Sequence, residues 1–207
     1  MKNMQYLILG LIFCSNHSFA QLKPVKYKDG TQVLNGFQIS PIKKSVQKPG
    51  ILILPAWKGI DKLSKDTAEK LANLGYYAFV ADIYSEGNYP KDNAEAGKNA
   101  GFYKKNYEAY QKRISLALQQ LIRSGANPDN IVVIGYCFGG TGALEAARGH
   151  LNLKGVVSFH GGLGRDATRS IEPITAKVLV CHGADDPNVS KEEITAFQQE
   201  MRDAKAD

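Results

Sequence analysis

Cysteine and histidine are scarce in this chain. The 207 residues include three cysteines and four histidines, and the histidines lack metal-ligand spacing. We therefore expect no metal site and no cofactor. Cys137 and Cys181 are the cysteines that lie beyond the N-terminal segment. Because each lies at an end of a predicted core strand, with another strand between them in sequence, we expect two free thiols, one reactive and one structural.

The apolar run at the N-terminus is too short to span a bilayer. It covers residues 6–13, follows Lys2, and precedes the small-x-small sequence Ser18-Phe19-Ala20. This arrangement is typical of a cleavable signal peptide. We expect cleavage near Ala20 and a secreted or periplasmic protein without stable membrane insertion.

Composition favours one globular domain. The chain is 43% hydrophobic and 22% charged, and its formal net charge is +6. At this length, that hydrophobic fraction is enough for a sizeable core. Its basic residues are scattered or paired and no aromatic-interleaved patch accompanies them, so we expect no nucleic-acid partner. The predicted organisation is a signal peptide over residues 1–20 and one domain over residues 21–207.

Strand-like apolar runs alternate with helical patterns along that domain. Val25–Tyr27 and Val33–Ile39 are predicted to form an antiparallel pair. Further strands are predicted at residues 51–54, 77–80, 131–134, 155–159 and 176–181. Helices are predicted at residues 61–74, 103–123, after Phe138 and from Ser190, with a loop over residues 85–93. Apolar strands that alternate with helices are typical of an α/β fold, a mostly parallel twisted sheet with helices on both faces.

Residues 131–144 carry the strongest functional signal. A β-branched run leads into the turn Gly135-Tyr136-Cys137-Phe138-Gly139, and small residues open a helix after it. This layout predicts a nucleophile elbow with cysteine as the nucleophile. Glycine at 135 and 139 avoids the crowding that a Cβ would cause. Cys137 would then lie at the positive end of a helix, which favours the thiolate. The alternative is a buried cysteine at the end of a packed strand.

Two more loops are expected beside this elbow, because the carboxyl ends of parallel strands meet at one edge of the sheet. The loop after Ile51–Leu54 carries Trp57, whose backbone N–H and that of Phe138 would form an oxyanion hole. An aromatic cover for the pocket is the alternative role of Trp57. In the motif H-G-A-D-D-P, Asp186 is placed to orient a catalytic histidine. Asp185 could instead cap the turn.

The ordered motifs A-D-I-Y, G-Y-C-F-G-G and H-G-A-D-D-P resemble the dienelactone hydrolase family over roughly residues 49–189. The resemblance implies an α/β-hydrolase fold and a Cys–His–Asp triad that hydrolyses small-molecule esters or lactones through an acyl-enzyme. It implies Cys137 as the nucleophile, Asp186 as the acid, and Trp57 and Phe138 as the oxyanion amides.

The histidines depart from that family, whose catalytic histidine follows the aspartate. His182 is the last histidine of this chain. We therefore expect a C-terminally incomplete domain that lacks the last strand and helix, with residues 176–181 left as an apolar sheet edge. His160 is the remaining candidate for a base or a pocket donor, against a structural role. His182 is expected to tie down the aspartate loop by hydrogen bonds.

Ala56 and Glu86 replace two other residues that the family carries, a glutamate facing the nucleophile and an arginine for the substrate carboxylate. These changes favour a generic ester or lactone hydrolase. Two alternatives stay open. One is a catalytically impaired or non-catalytic binding member of the same fold, and the other is a different cysteine hydrolase, similar to amidotransferases.

Overall fold

The computed structural model describes residues 21–207, so the predicted signal peptide lies outside the described residues. The strands are β1 (Lys23–Asp29), β2 (Gln32–Ile39), β3 (Gly50–Leu54), β4 (Tyr77–Val80), β5 (Ile131–Tyr136), β6 (Gly155–Phe159) and β7 (Lys177–Cys181). The helices are α1 (Lys62–Asn73), α2 (Asn93–Lys105), α3 (Tyr107–Arg123), α4 (Phe138–Arg148) and α5 (Lys191–Asp203). None of these helices is both long and apolar enough to span a membrane.

All seven described strands belong to one sheet, in the order β1-β2-β4-β3-β5-β6-β7. β2 is antiparallel to β1 and to β4. The other neighbouring strands are parallel. This confirms the predicted mostly parallel sheet and its opening antiparallel pair.

β3 shows why helices cover both faces of the sheet. Its five residues are all buried, and successive side chains of a strand point to opposite faces. Leu52 and Leu54 pack in the same cluster as residues of α3 and α4. Ile51 and Ile53 pack with Ala68 and Ala72 of α1. The continuous apolar run of β3 is therefore a strand that is buried on both faces, as predicted.

The prediction of a single helix over residues 103–123 is wrong. The structure has two helices that meet at Asn106, whose backbone leaves the helical region at φ −112° and ψ 66°. The Asn106 side-chain amide donates to the Phe102 carbonyl oxygen at 2.8 Å, and such local bonds compete with continued helix. The α2 helix was not predicted because it buries only Ala96, Ala100 and Tyr103.

α1 begins where the sequence predicts. Asp61 accepts a hydrogen bond from the Ser64 backbone N–H at 2.9 Å, and the Ser64 hydroxyl accepts one from the Asp61 N–H at 3.1 Å. This reciprocal pair is a capping box. Leu63 is exposed although it is apolar, because five residues place it roughly 140° around the helix from the buried Ala68.

Candidate active site

Cys137 is the single residue between β5 and α4, as the elbow prediction requires. Its backbone has φ 53° and ψ −112°. Residues other than glycine rarely adopt this conformation, and those that do are concentrated at functional sites. Its N–H donates to the Phe159 carbonyl oxygen at 2.8 Å, and its own carbonyl oxygen accepts from the Gly140 N–H at 2.9 Å. The residue is half-buried, so the alternative of a fully buried cysteine is not what the structure shows.

Glycine is required at both predicted positions of the turn. A Cβ on Gly135 would overlap the carbonyl oxygen of Gly139, and a Cβ on Gly139 would overlap the carbonyl oxygen of Leu54. These are backbone atoms that cannot swing aside. The second contact also brings the loop after β3 directly against the start of α4.

The strand register aligns three residues along the carboxyl edge of the sheet. Tyr136 pairs with Phe159, and Phe159 pairs with Cys181. Each is the last residue of its strand, so the residues that follow, Cys137 and His160 among them, leave the sheet at the same edge. β6 is thus the direct neighbour of the strand that leads into the elbow.

His160 and Asp186 form a close pair at this edge. His160 Nδ1 lies 2.5 Å from Asp186 Oδ2. The His160 side chain is 55% exposed and that of Asp186 is 3% exposed. The His160 backbone is also in the left-handed region, at φ 56°, and its N–H donates to the Cys181 carbonyl oxygen at 2.9 Å. The unusual backbone of His160 thus accompanies an accessible imidazole backed by a covered carboxylate.

Asp186, rather than Asp185, is the carboxylate that faces the histidine. Its Oδ1 accepts hydrogen bonds from the Asn188 backbone N–H at 2.9 Å and from the Asn188 side-chain amide at 3.1 Å. The pKa of Asp186 lies below its ordinary value, mainly because of the hydrogen bond from the Asn188 backbone. The Asn188 side chain and His160 lower this pKa further. The carboxylate therefore stays ionised at neutral pH.

His182 does not have the role that the sequence suggested. Its side chain is 12% exposed and lies 3.9 Å, Nδ1 to Oδ2, from Asp186. Neither ring nitrogen has a hydrogen-bond partner among the described residues. The prediction that His182 ties down the aspartate loop by hydrogen bonds is wrong, because 3.9 Å from Nδ1 to Oδ2 is beyond hydrogen-bond distance.

The two predicted oxyanion residues lie on adjoining segments. Phe138 is the first residue of α4, so its N–H has no acceptor within the helix. Trp57 lies in a turn after β3 that is closed by the Gly59 N–H donating to the Ala56 carbonyl oxygen at 2.9 Å. The Trp57 side chain packs against the core. The fold therefore brings both backbone segments to the elbow.

A cavity of about 250 Å³ lies along α4, and neither Cys137 nor His160 is among the residues that line it. Its lining includes Thr141, one turn beyond Cys137, and Asn188, which bonds to Asp186. Lys104 and Arg169 add two cations to the wall. Sequence reasoning missed these lining residues, since nothing in their local pattern marks them. No group of three or more His, Cys, Asp or Glu side chains within residues 21–207 is arranged to hold a metal ion.

Comparison with known proteins identifies the fold and the family of the chain. A model of the dienelactone hydrolase family matches residues 34–207. A relative from Bradyrhizobium sp., named as a probable 2-oxo-3-(5-oxofuran-2-ylidene)propanoate lactonase, is 30% identical over 165 residues, or 74% of this chain. The chain spans 66% of that relative and 63% of a relative from Yersinia pestis, less than two thirds of each.

Two solved structures share the fold at higher coverage. The structure named m3DLH has a TM-score of 0.85 and 31% identity, over 92% of this chain and 80% of its own. A dienelactone hydrolase-like promiscuous phosphotriesterase, P91 from metagenomic libraries, has a TM-score of 0.85 and 32% identity over the same shares. The sheet and its elbow are thus those of an α/β-hydrolase, and the chain belongs to the dienelactone hydrolase family.

Proposed function

We propose that the protein hydrolyses carboxyl-ester or lactone bonds of small molecules, with Cys137 as the nucleophile and a covalent acyl-enzyme. The observation that carries this proposal is the half-buried Cys137 on a strained elbow. The residues before Cys137 and His160 pair in the sheet, and His160 is itself paired with Asp186. Family membership and the name of the Bradyrhizobium relative support the ester or lactone substrate.

In the acylation step, His160 accepts the thiol proton of Cys137 on Nε2, while Nδ1 faces Asp186. The sulfur attacks the carbonyl carbon and forms a carbon–sulfur bond, and the carbonyl π electrons move to oxygen. The N–H groups of Trp57 and Phe138 stabilise this oxyanion. When the carbonyl reforms, the carbon–oxygen bond to the leaving group breaks, and the leaving alkoxide takes the proton from His160.

In the deacylation step, His160 accepts a proton from water, whose oxygen attacks the thioester carbonyl. The carbon–sulfur bond breaks and the thiolate regains the proton. The sum of both steps is ester plus water giving acid plus alcohol, and a lactone gives the hydroxy acid. The ionised Asp186 stabilises the imidazolium that forms in each step.

The test is hydrolysis of p-nitrophenyl acetate and of a simple γ-lactone, with Cys181→Ser as the background so that one described thiol remains. Wild type and Cys181→Ser should turn over the ester at the same rate. Cys137→Ser/Cys181→Ser should fall to the uncatalysed rate. A folded Cys181→Ser protein that neither turns over nor becomes acylated would favour a non-catalytic binding protein and overturn the proposal.

We also propose that residues 1–20 are a signal peptide cleaved near Ala20 and that the mature protein is secreted or periplasmic. The support is the sequence pattern of Lys2, the apolar run and the small residues before Gln21. N-terminal sequencing of the protein from the periplasmic or extracellular fraction should begin near Gln21. An intact Met1 on protein confined to the cytosolic fraction would contradict this.

A further inference from the structure

Tyr84 contacts both residues of the proposed oxyanion hole. Its hydroxyl donates to the Trp57 carbonyl oxygen at 2.7 Å, and its ring stacks on that of Phe138, with centroids 5.8 Å apart and planes at 20°. Only 3% of Tyr84 is exposed. Burial, with smaller contributions from Tyr103 and Cys137, raises the pKa of Tyr84, so the phenol stays protonated and remains a donor.

The contact with Trp57 determines the direction of an amide. The Trp57 N–H belongs to the same peptide plane as the Ala56 carbonyl, which accepts a hydrogen bond from Gly59. The next peptide plane contains the Trp57 carbonyl, which Tyr84 holds. Because the peptide planes before and after the Trp57 Cα are both fixed, the Trp57 N–H has one orientation. An oxyanion donor must lie within about 2.7–3.1 Å of the developing charge, so this fixation matters.

Tyr84 itself is carried on a fixed backbone. Asp82 is buried, and its Oδ1 accepts from the backbone N–H groups of Tyr84 at 3.0 Å and Ser85 at 3.2 Å. Its Oδ2 accepts from the Asn35 N–H at 2.8 Å and from the Tyr89 hydroxyl at 2.7 Å. The two bonds to Oδ1 stabilise the turn after β4, where Ser85 has φ 79°.

Phe138 is held in the same way by a second tyrosine. The Tyr110 hydroxyl donates to the Phe138 carbonyl oxygen at 3.0 Å, and the two rings stack with centroids 4.6 Å apart and planes at 3°. Phe138 is thus sandwiched between Tyr110 and Tyr84. One phenol holds the carbonyl of each residue whose amide would bind the oxyanion.

We infer that Tyr84 is a positioning residue of the oxyanion hole, which it builds by joining the Trp57 loop to Phe138 at the start of α4. The inference rests on the proposed function. A positioning role predicts different effects of Tyr84 on two reactions of Cys137, whereas a general structural role predicts equal effects. Acylation by an ester passes through an oxyanion, whereas alkylation by iodoacetamide does not, so Tyr84 should matter for the first reaction only.

The experiment compares both reactions in the Cys181→Ser background. Tyr84→Phe should slow acylation by p-nitrophenyl acetate about tenfold, part of the 10²–10³-fold that losing a whole donor costs. Its alkylation by iodoacetamide should stay within about twofold of the parent. The matched control is Tyr89→Phe, which removes a phenol bonded to the same Asp82 but not to Trp57, and it should leave both rates unchanged.

A second measurement needs no catalysis. Trp57 is the single tryptophan of the chain, so tryptophan fluorescence reports on this loop. Acrylamide quenching should rise in Tyr84→Phe and stay at the parent value in Tyr89→Phe.

Three results would overturn the inference. Acylation of Tyr84→Phe at the parent rate would do so while leaving the proposed function intact. Equal loss of acylation and alkylation in a folded Tyr84→Phe protein would make the residue merely structural. Absence of acylation in the parent protein would remove the proposed function, and the inference with it.

Discussion

His160 Nδ1 lies 2.5 Å from Asp186 Oδ2, although one residue directly follows β6 and the other lies in the loop after β7. The carboxylate is covered and ionised, and the imidazole is open to solvent. In the proposed mechanism, this pair leaves Nε2 of His160 to accept the proton of Cys137. The assignment of His160 as the base is therefore open to direct kinetic tests.

Replacing His160 by glutamine should lower the turnover of p-nitrophenyl acetate by roughly 10²–10⁴-fold, because proton transfer in both steps would be lost. The burst of p-nitrophenol released in the first turnover, compared with the steady-state rate, should show whether acylation or deacylation is the slower step. The control is His150→Gln, at the exposed C-terminal end of α4, which should keep the parent rate. A His160→Gln enzyme with unchanged turnover would show that the imidazole is not the base.

Acid should weaken the stabilising effect of the Asp186 carboxylate. Its folded-state pKa lies below the ordinary 3.8, so its contribution to folding is present above that pH and is lost as the pH falls through the folded-state pKa. Urea unfolding of the parent and of Asp186→Asn should differ most near neutral pH. The difference should shrink below about pH 4. A difference that is constant down to pH 3 would contradict this account.

The elbow glycines should tolerate no side chain. Gly135→Ala places a methyl group on the Gly139 carbonyl oxygen and should lower the free energy of unfolding by about 1–3 kcal/mol or more. Gly101→Ala is the control, because its Cβ meets nothing within 4 Å and it lies in α2. Alanine there should stabilise by up to about 1 kcal/mol. Thermal unfolding of both variants checks the contrast.

Much of the fold was predictable because its signals are local. The continuous apolar runs of β3 and β4 and the glycines around Cys137 each constrain a few neighbouring residues, and all appear where the sequence places them. The break at Asn106 was not predictable, since a side-chain bond decided it against an otherwise helical pattern.

The site was predictable only in part. Asp186 and Trp57 follow strands, so the parallel topology alone brings them to the edge near Cys137. The pairing of His160 with Asp186 depends on the register of β6 and β7 and on a positive φ at His160. The contact of Tyr84 with Trp57 joins two loops through side chains, which no sequence periodicity encodes.

A buried ion-pair cluster holds α4, α5 and the loop after β6 together. Arg148 Nε and Nη2 donate to Glu200 at 2.8 Å, and Nη1 donates to Glu145 at 3.0 Å. Arg148→Met should destabilise the fold by about 3–5 kcal/mol, because the buried Glu200 loses two charged hydrogen bonds and Glu145, which keeps Arg169, loses one. Lys62→Ala, which removes an exposed pair with Asp66, should change stability far less, because water screens an exposed ion pair. Equal effects in denaturant titrations would contradict the assignment of this cluster.

The central claim is that the Cys137 sulfur becomes acylated. The direct measurement is peptide mapping by mass spectrometry of the Cys181→Ser protein, quenched with acid seconds after mixing with p-nitrophenyl acetate. The account predicts one acetyl group per chain, on Cys137. An acetyl group found only on lysines or at the N-terminus, with Cys137 unmodified in folded protein, would contradict it.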